Sequence, residues 1–137
     1  MKTIELRIGN LIIGNYYDYN IDDDHLEKET ICKVVTLDSV DMCEYPIYVE
    51  SDENVEEFSE FQPIPLTEEW LLKFGFEKSM SWTYVIELQG NLKLVYYLGE
   101  KGWSIGFKAY SDFSNLEYVH QLQNLFFALT GEELTLK

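Results

Sequence analysis

The residues with the densest chemical potential in this chain are oxygen donors. Asp18, Asn20, Asp22 and Asp24 alternate along one short run, and Glu29 stands twelfth counting from Asp18. A calcium-binding helix–loop–helix places its ligands at positions 1, 3, 5 and 12 of such a loop. Two features oppose that reading. Asp23 sits where the sharp turn wants glycine, and His25 replaces the usual apolar anchor. The flanks read as strand and turn, with no helix after Glu29. A solvated acidic loop is the simpler interpretation, with weak divalent-cation binding by these five residues as the sharper alternative.

His25, Cys32, Cys43 and His120 could in principle ligate zinc or form a thiol–imidazole pair. None has the close Cys–Cys or His–His spacing of a zinc site. A Cys–His nucleophile meets only in space, and no local signature marks one. Cys32 lies within Thr30-Ile31-Cys32-Lys33-Val34-Val35-Thr36-Leu37, a β-branched run in which a small buried cysteine fits. The chain has no nucleophile elbow, phosphate-binding loop or dinucleotide fingerprint. Carboxylates are so numerous that no pair stands out for acid–base work. The expectation is therefore no catalytic residue, no cofactor and no enzymatic activity.

Contact chemistry is better represented. On a helix over 115–130, Tyr118, Leu122, Leu125 and Leu129 share one face, flanked by Val119 and Phe126. His120, Gln121 and Asn124 lie opposite, and Phe127 projects beside them. An aromatic among amide side chains suits a protein partner. The plainer reading packs Phe127 inward and lets the amides tie down loops. Tyr16, Tyr17 and Tyr19 form a second candidate patch, or cover a sheet edge.

Charge narrows the choice of partner. The 137 residues carry a formal net charge of −15, with 25 acidic and 10 basic side chains. Residues 1–60 hold 16 acids against 4 bases, and residues 61–137 hold 9 against 6. Such a surface repels phosphates, so direct binding of nucleic acid or anionic membrane is not expected, whereas a basic protein is attracted. No run approaches a membrane span, and the first residues lack the apolar core of a secretion signal. Reduced thiols and a cytoplasmic location, in a bacterium or a phage-infected host, follow as expectations.

The elements that must position these residues can be read in order. Residues 4–13 are extended, with a bend at Gly9-Asn10, and 15–29 form a polar loop or hairpin tip. Strands are expected at 30–37 and 45–50, the second at an edge because of Pro46. After an acidic loop at 51–60, Pro63 and Pro65 hold 61–66 extended. Thr67 then caps a short helix over 67–74, which Gly75 stops. Apolar residues recur at every second position over 82–88, 92–98 and 103–109, predicting a three-stranded antiparallel meander. The fold class is α+β: a small barrel-like N-terminal β unit, a short helix, the meander, and a C-terminal helix packed on the sheet. A single domain 1–137 with lobes at about 1–64 and 65–137 is expected.

Three stretches together carry a resemblance. They are Leu6-Arg7-Ile8-Gly9-Asn10, the run Pro63-Ile64-Pro65-Leu66-Thr67-Glu68-Glu69-Trp70-Leu71, and residues 118–134, YVHQLQNLFFALTGEEL. The chain resembles an uncharacterised family of short proteins from Bacteroides-type gut bacteria and their phages and prophages. The resemblance implies that setting and transfers no catalytic residue. Together these readings favour a non-enzymatic protein-interaction module, a phage or prophage accessory protein. The alternatives are an acidic mimic of nucleic acid that occupies a DNA- or RNA-binding protein, and a small-molecule or metal-binding enzyme.

Overall fold

A computed structural model of the chain describes residues 6, 7, 9–17, 27–37, 47–51, 58, 60–106 and 116–137. The chain divides into two compact units, Met1–Ile64 and Pro65–Lys137. Both are antiparallel sheets, and helices occur in the second, so the fold is mixed α+β.

The first unit is built on β1 (Leu11–Tyr17), β2 (Glu27–Leu37), β3 (Ile47–Ser51) and β4 (Glu60–Gln62), in spatial order β3-β2-β1-β4. β1 and β2 pair antiparallel in register from Leu11↔Lys33 to Tyr17↔Glu27. Alternation puts Cys32 and Val34 inside and Ile31 and Lys33 outside. Leu6, Ile12, Cys32 and Val34 form the core, with Val49, Phe58 and Phe61 packed on it. The expected bend at Gly9-Asn10 is present and has a structural purpose. Gly9 adopts φ 97°, and the Arg7 N–H donates to Asn10 Oδ1 at 2.6 Å. Gly9 and Asn10 then exchange backbone bonds with Val34, which sets the register of β1 on β2.

The second unit begins with α1 (Glu68–Lys73). Thr67 Oγ1 accepts from the Trp70 N–H, Glu68 and Glu69 occupy the first turn, and Lys73 pairs with Glu69 at 3.0 Å. The stop is a Schellman arrangement around Gly75 at φ 93°. The Gly75 N–H donates to Leu72 and the Phe76 N–H to Leu71.

A four-stranded sheet follows, β5 (Glu77–Met80), β6 (Thr83–Glu87), β7 (Lys93–Tyr97) and β8 (Gly102–Ile105), paired in sequence order. The predicted meander is present as β6–β8. The additional strand β5 was not expected, because all four of its residues are exposed and it has no apolar alternation to reveal it. β7 is buried on both faces, at Leu94, Val95 and Tyr96.

The last helix is α2 (Val119–Thr130), ended by Gly131 in the left-handed region. The segment before it is fixed to the rest of the unit by backbone bonds. The Leu66 N–H donates to Glu117, Pro65 and Tyr118 form a bridge, and the buried Tyr96 hydroxyl donates to the Leu116 carbonyl at 2.6 Å. No helix among the described residues is long and apolar enough to cross a membrane.

Candidate functional site

The α2 residues chosen from sequence do not form one exposed face. His120 is fully buried, together with Val119, Leu122 and Gln123, while Leu129 is exposed. The buried arc is turned roughly a quarter of the way around the helix from the apolar stripe. The physical reason is that burial here follows position along the axis. The first two turns are enclosed, and the last turn, whatever its side chains, lies open. The imidazole of His120 stacks on the Tyr118 ring, with centroids 5.9 Å apart and planes 10° from parallel.

Gln121 is a helix cap. Its Oε1 accepts from the backbone N–H groups of Glu117 and Tyr118 at 2.9 and 3.1 Å, satisfying donors that a helix start would otherwise leave open. Asn124 is partly exposed, and Phe127 is 39% exposed. The contact face expected from His120, Gln121, Asn124 and Phe127 therefore reduces to the last two.

In the first unit, Tyr16 packs edge-on against Phe58, with centroids 6.3 Å apart. Tyr17 lies in β1, and Tyr19 falls outside the described residues. Of the calcium-like run, Asp18, Asn20, Asp22 and Asp24 lie outside the described residues. Glu29 lies in β2 opposite Asn15, so paired strands flank the run where a helix–loop–helix would need helices. No cluster of metal-ligating side chains occurs among the described residues.

Cys32 is a free, buried thiol. Burial pushes its pKa up to about 11, against the opposing effect of a backbone hydrogen bond from Gly14. A thiol so disposed stays protonated and is a poor nucleophile or ligand at neutral pH.

The most unusual surface lies at the turn between β5 and β6. Met80 pairs with Thr83 across a tight turn made by Ser81 and Trp82. Met80 is 70% exposed and Trp82 is 64% exposed. Trp82 also adopts φ 68°, in the left-handed region that glycine occupies readily and an aromatic residue does not. Holding a side chain there costs about 1–2 kcal/mol.

The turn is anchored, since the Trp82 carbonyl accepts from the Leu98 N–H at 2.8 Å. Beside it opens a depression of about 260 Å³ lined by Ser81, Trp82, Thr83, Tyr97, Gly99 and Glu100. Thr83 and Tyr97 are directly opposed on β6 and β7 and so point to one face. The Tyr97 hydroxyl shares a hydrogen bond with Ser104 Oγ at 3.3 Å, fixing its ring. Gly99 adjoins Trp82 in this wall, for a Cβ there would meet the Trp82 side chain at 3.9 Å, an ordinary van der Waals contact.

The site thus offers two aromatic residues, the hydroxyls of Ser81 and Thr83 and a carboxylate; Thr83 and Tyr97 stand on strands, and Ser81, Trp82, Gly99 and Glu100 on the turns beside them. The alternation over 82–88 assigned Trp82 to the buried face. The structure corrects this, because 82 precedes the strand and belongs to the turn. The one signal for the site was the polar run Glu77-Lys78-Ser79-Met80-Ser81, which marks a break in burial just before an aromatic.

Compared with models of protein families, with curated proteins and with solved structures, the chain gives no match.

Proposed function

We propose that the chain is a protein-interaction module rather than a catalyst, an accessory protein of phage or prophage type, and that the Met80–Trp82 turn is its principal contact. The observation that carries this reading is Trp82 itself. A large aromatic is held largely in solvent, in a backbone conformation that disfavours it, on an ordered turn. Neither core packing nor turn geometry calls for tryptophan there, whereas partner surfaces draw their strongest anchors from exposed Trp. The resemblance to phage and prophage proteins of Bacteroides-type bacteria supplies the setting.

The test is affinity capture from lysate of such a bacterium with the wild-type chain, Trp82→Gly and Phe127→Ala as parallel baits. Glycine fits φ 68°, so Trp82→Gly removes the indole without disturbing the turn. A protein retained by wild type and by Phe127→Ala but lost with Trp82→Gly is the expected result. Retention indifferent to Trp82, or no specific retention, would count against the reading.

A further inference from the structure

We infer that the depression beside Trp82 receives a lysine or arginine side chain from a basic segment of the partner; the inference rests on the interaction reading above and adds the chemistry of what is bound. Three residues of the wall, Trp82, Tyr97 and Glu100, converge on a cation. Trp82 and Tyr97 both line the depression, and an ammonium or guanidinium group is attracted to the face of an indole or phenol ring. Glu100 supplies a carboxylate to its wall.

The neighbouring lysines do not fill that place. Lys78 is held by Glu68 at 3.3 Å and Lys101 by Glu117 at 3.7 Å. The hydroxyls of Ser81 and Thr83 add acceptors for the remaining N–H donors of an incoming cation. At larger range, residues 61–137 hold 9 acids against 6 bases, a mild excess that favours the approach of a basic segment over an acidic one. Met80, exposed beside the same turn, offers apolar surface to the aliphatic stem of a lysine or arginine whose charged end stays polar.

Trp82 stands in the wall of the depression with its backbone left-handed and its carbonyl bonded to the Leu98 N–H.

The test uses the whole chain and a set of synthetic probes: a lysine-rich peptide, an arginine-rich peptide, a glutamate-rich peptide of equal length, and a neutral oligosaccharide. Binding is followed by shifts of the Trp82 indole N–H and the Gly99 amide in heteronuclear NMR, at low and at high salt. The basic peptides should shift both signals, and the glutamate peptide and oligosaccharide neither. Trp82→Gly should abolish the response. Glu100→Gln should weaken it at least about fivefold, and salt should weaken it further.

Equal shifts with the oligosaccharide would overturn the inference, because the rings would then act as a stacking platform without charge selection. Basic-peptide binding that ignores Trp82→Gly would also overturn it, by placing the contact on other carboxylates. Absence of any peptide response, combined with Trp82-dependent capture of a protein from lysate, would sink the cation proposal while leaving the interaction reading intact. Loss of both would remove both.

Discussion

Gly14 in the first unit and Trp82 in the second sit in antiparallel hairpins, and their side chains stand in opposite relation to the surroundings. A Cβ on Gly14 would lie 2.6 Å from the Phe58 ring and 2.8 Å from Cys32 Sγ, so the packed neighbours leave room for hydrogen alone. At Trp82 the backbone suits glycine, yet the residue is the largest available and most of it meets solvent. In the first case the interior dictates the residue. In the second the interior gives no reason for it, and the reason is sought outside the molecule. The same contrast separates the buried Cys32 from the exposed Glu100. One is chemically quieted by its surroundings, and the other faces an open depression.

This comparison is broken most directly at Gly14. Gly14→Ala should lower the stability of the first unit by about 2–3 kcal/mol through overpacking, read from denaturant midpoints and from amide exchange in β1 and β2. Phe58→Leu in the same background should recover part of the loss. An unchanged midpoint would show that the Phe58 ring yields freely. Cys32 reports on the same core. With its pKa near 11 and no exposure, it should alkylate only as fast as the unit opens. Mass spectrometry of the Cys32 peptide checks this, and prompt labelling at neutral pH would contradict it.

The next effect lies in the second unit. Tyr96→Phe leaves the buried Leu116 carbonyl without its donor and should cost about 1–2 kcal/mol. Burial first, and then the Glu117 charge, push the Tyr96 pKa from 10.0 to about 12. The folded state therefore holds this proton more tightly than the unfolded state. The corresponding stability is complete below pH 10 and is lost as pH rises towards 12. Tyr96→Phe should flatten that alkaline slope in thermal melts, and an unaltered slope would assign it to other tyrosines.

A finer cut isolates the strain at position 82. Trp82→Ala and Trp82→Gly both remove the indole, but alanine retains the left-handed penalty. The glycine variant should be more stable than the alanine variant by about 1 kcal/mol, with both deficient in partner capture. Equal stability would mean that the turn relaxes once the indole is gone.

The smallest effect concerns Glu68 and Lys78. The Tyr84 hydroxyl, and then Lys78, hold the Glu68 carboxyl below the usual carboxylate range, while Glu68 holds Lys78 above its ordinary value. The Glu68 contribution is present above the ordinary carboxylate pKa and lost as pH falls through the lowered one. That of Lys78 is present below its ordinary pKa and lost as pH rises through the raised one. Both side chains are well exposed, so salt should screen the effect. Glu68→Gln should slightly reduce the acid sensitivity of the melting temperature, and a steeper acid dependence in the variant would reverse the assigned sign.

Much of the architecture is legible in the sequence. Helix α1 was readable end to end, because Thr67, Glu68, Glu69, Lys73 and Gly75 each act within one or two turns of their own position. The meander was readable because Tyr84, Leu94 and Tyr96 repeat at the strand period. Strand β5 was not, since an edge strand with four exposed residues is held by its backbone bonds to β6, which leave no mark on side-chain pattern. The candidate site was hidden for a related reason. Alternation tells which residues can share a face, but not where a strand ends, and Trp82 lies one residue outside β6.

By itself the sequence determined the charge, the start and stop of α1, the stop of α2 at Gly131, and the α+β class, all of which depend on composition or on neighbours a few residues apart. Only the tertiary structure decided that His120 is buried. It alone made Gly14 obligatory beside Phe58, and set Trp82, Tyr97 and Glu100 around one depression. Each of these outcomes depends on how segments distant in sequence close upon one another, and burial is a property of that closure rather than of any residue type.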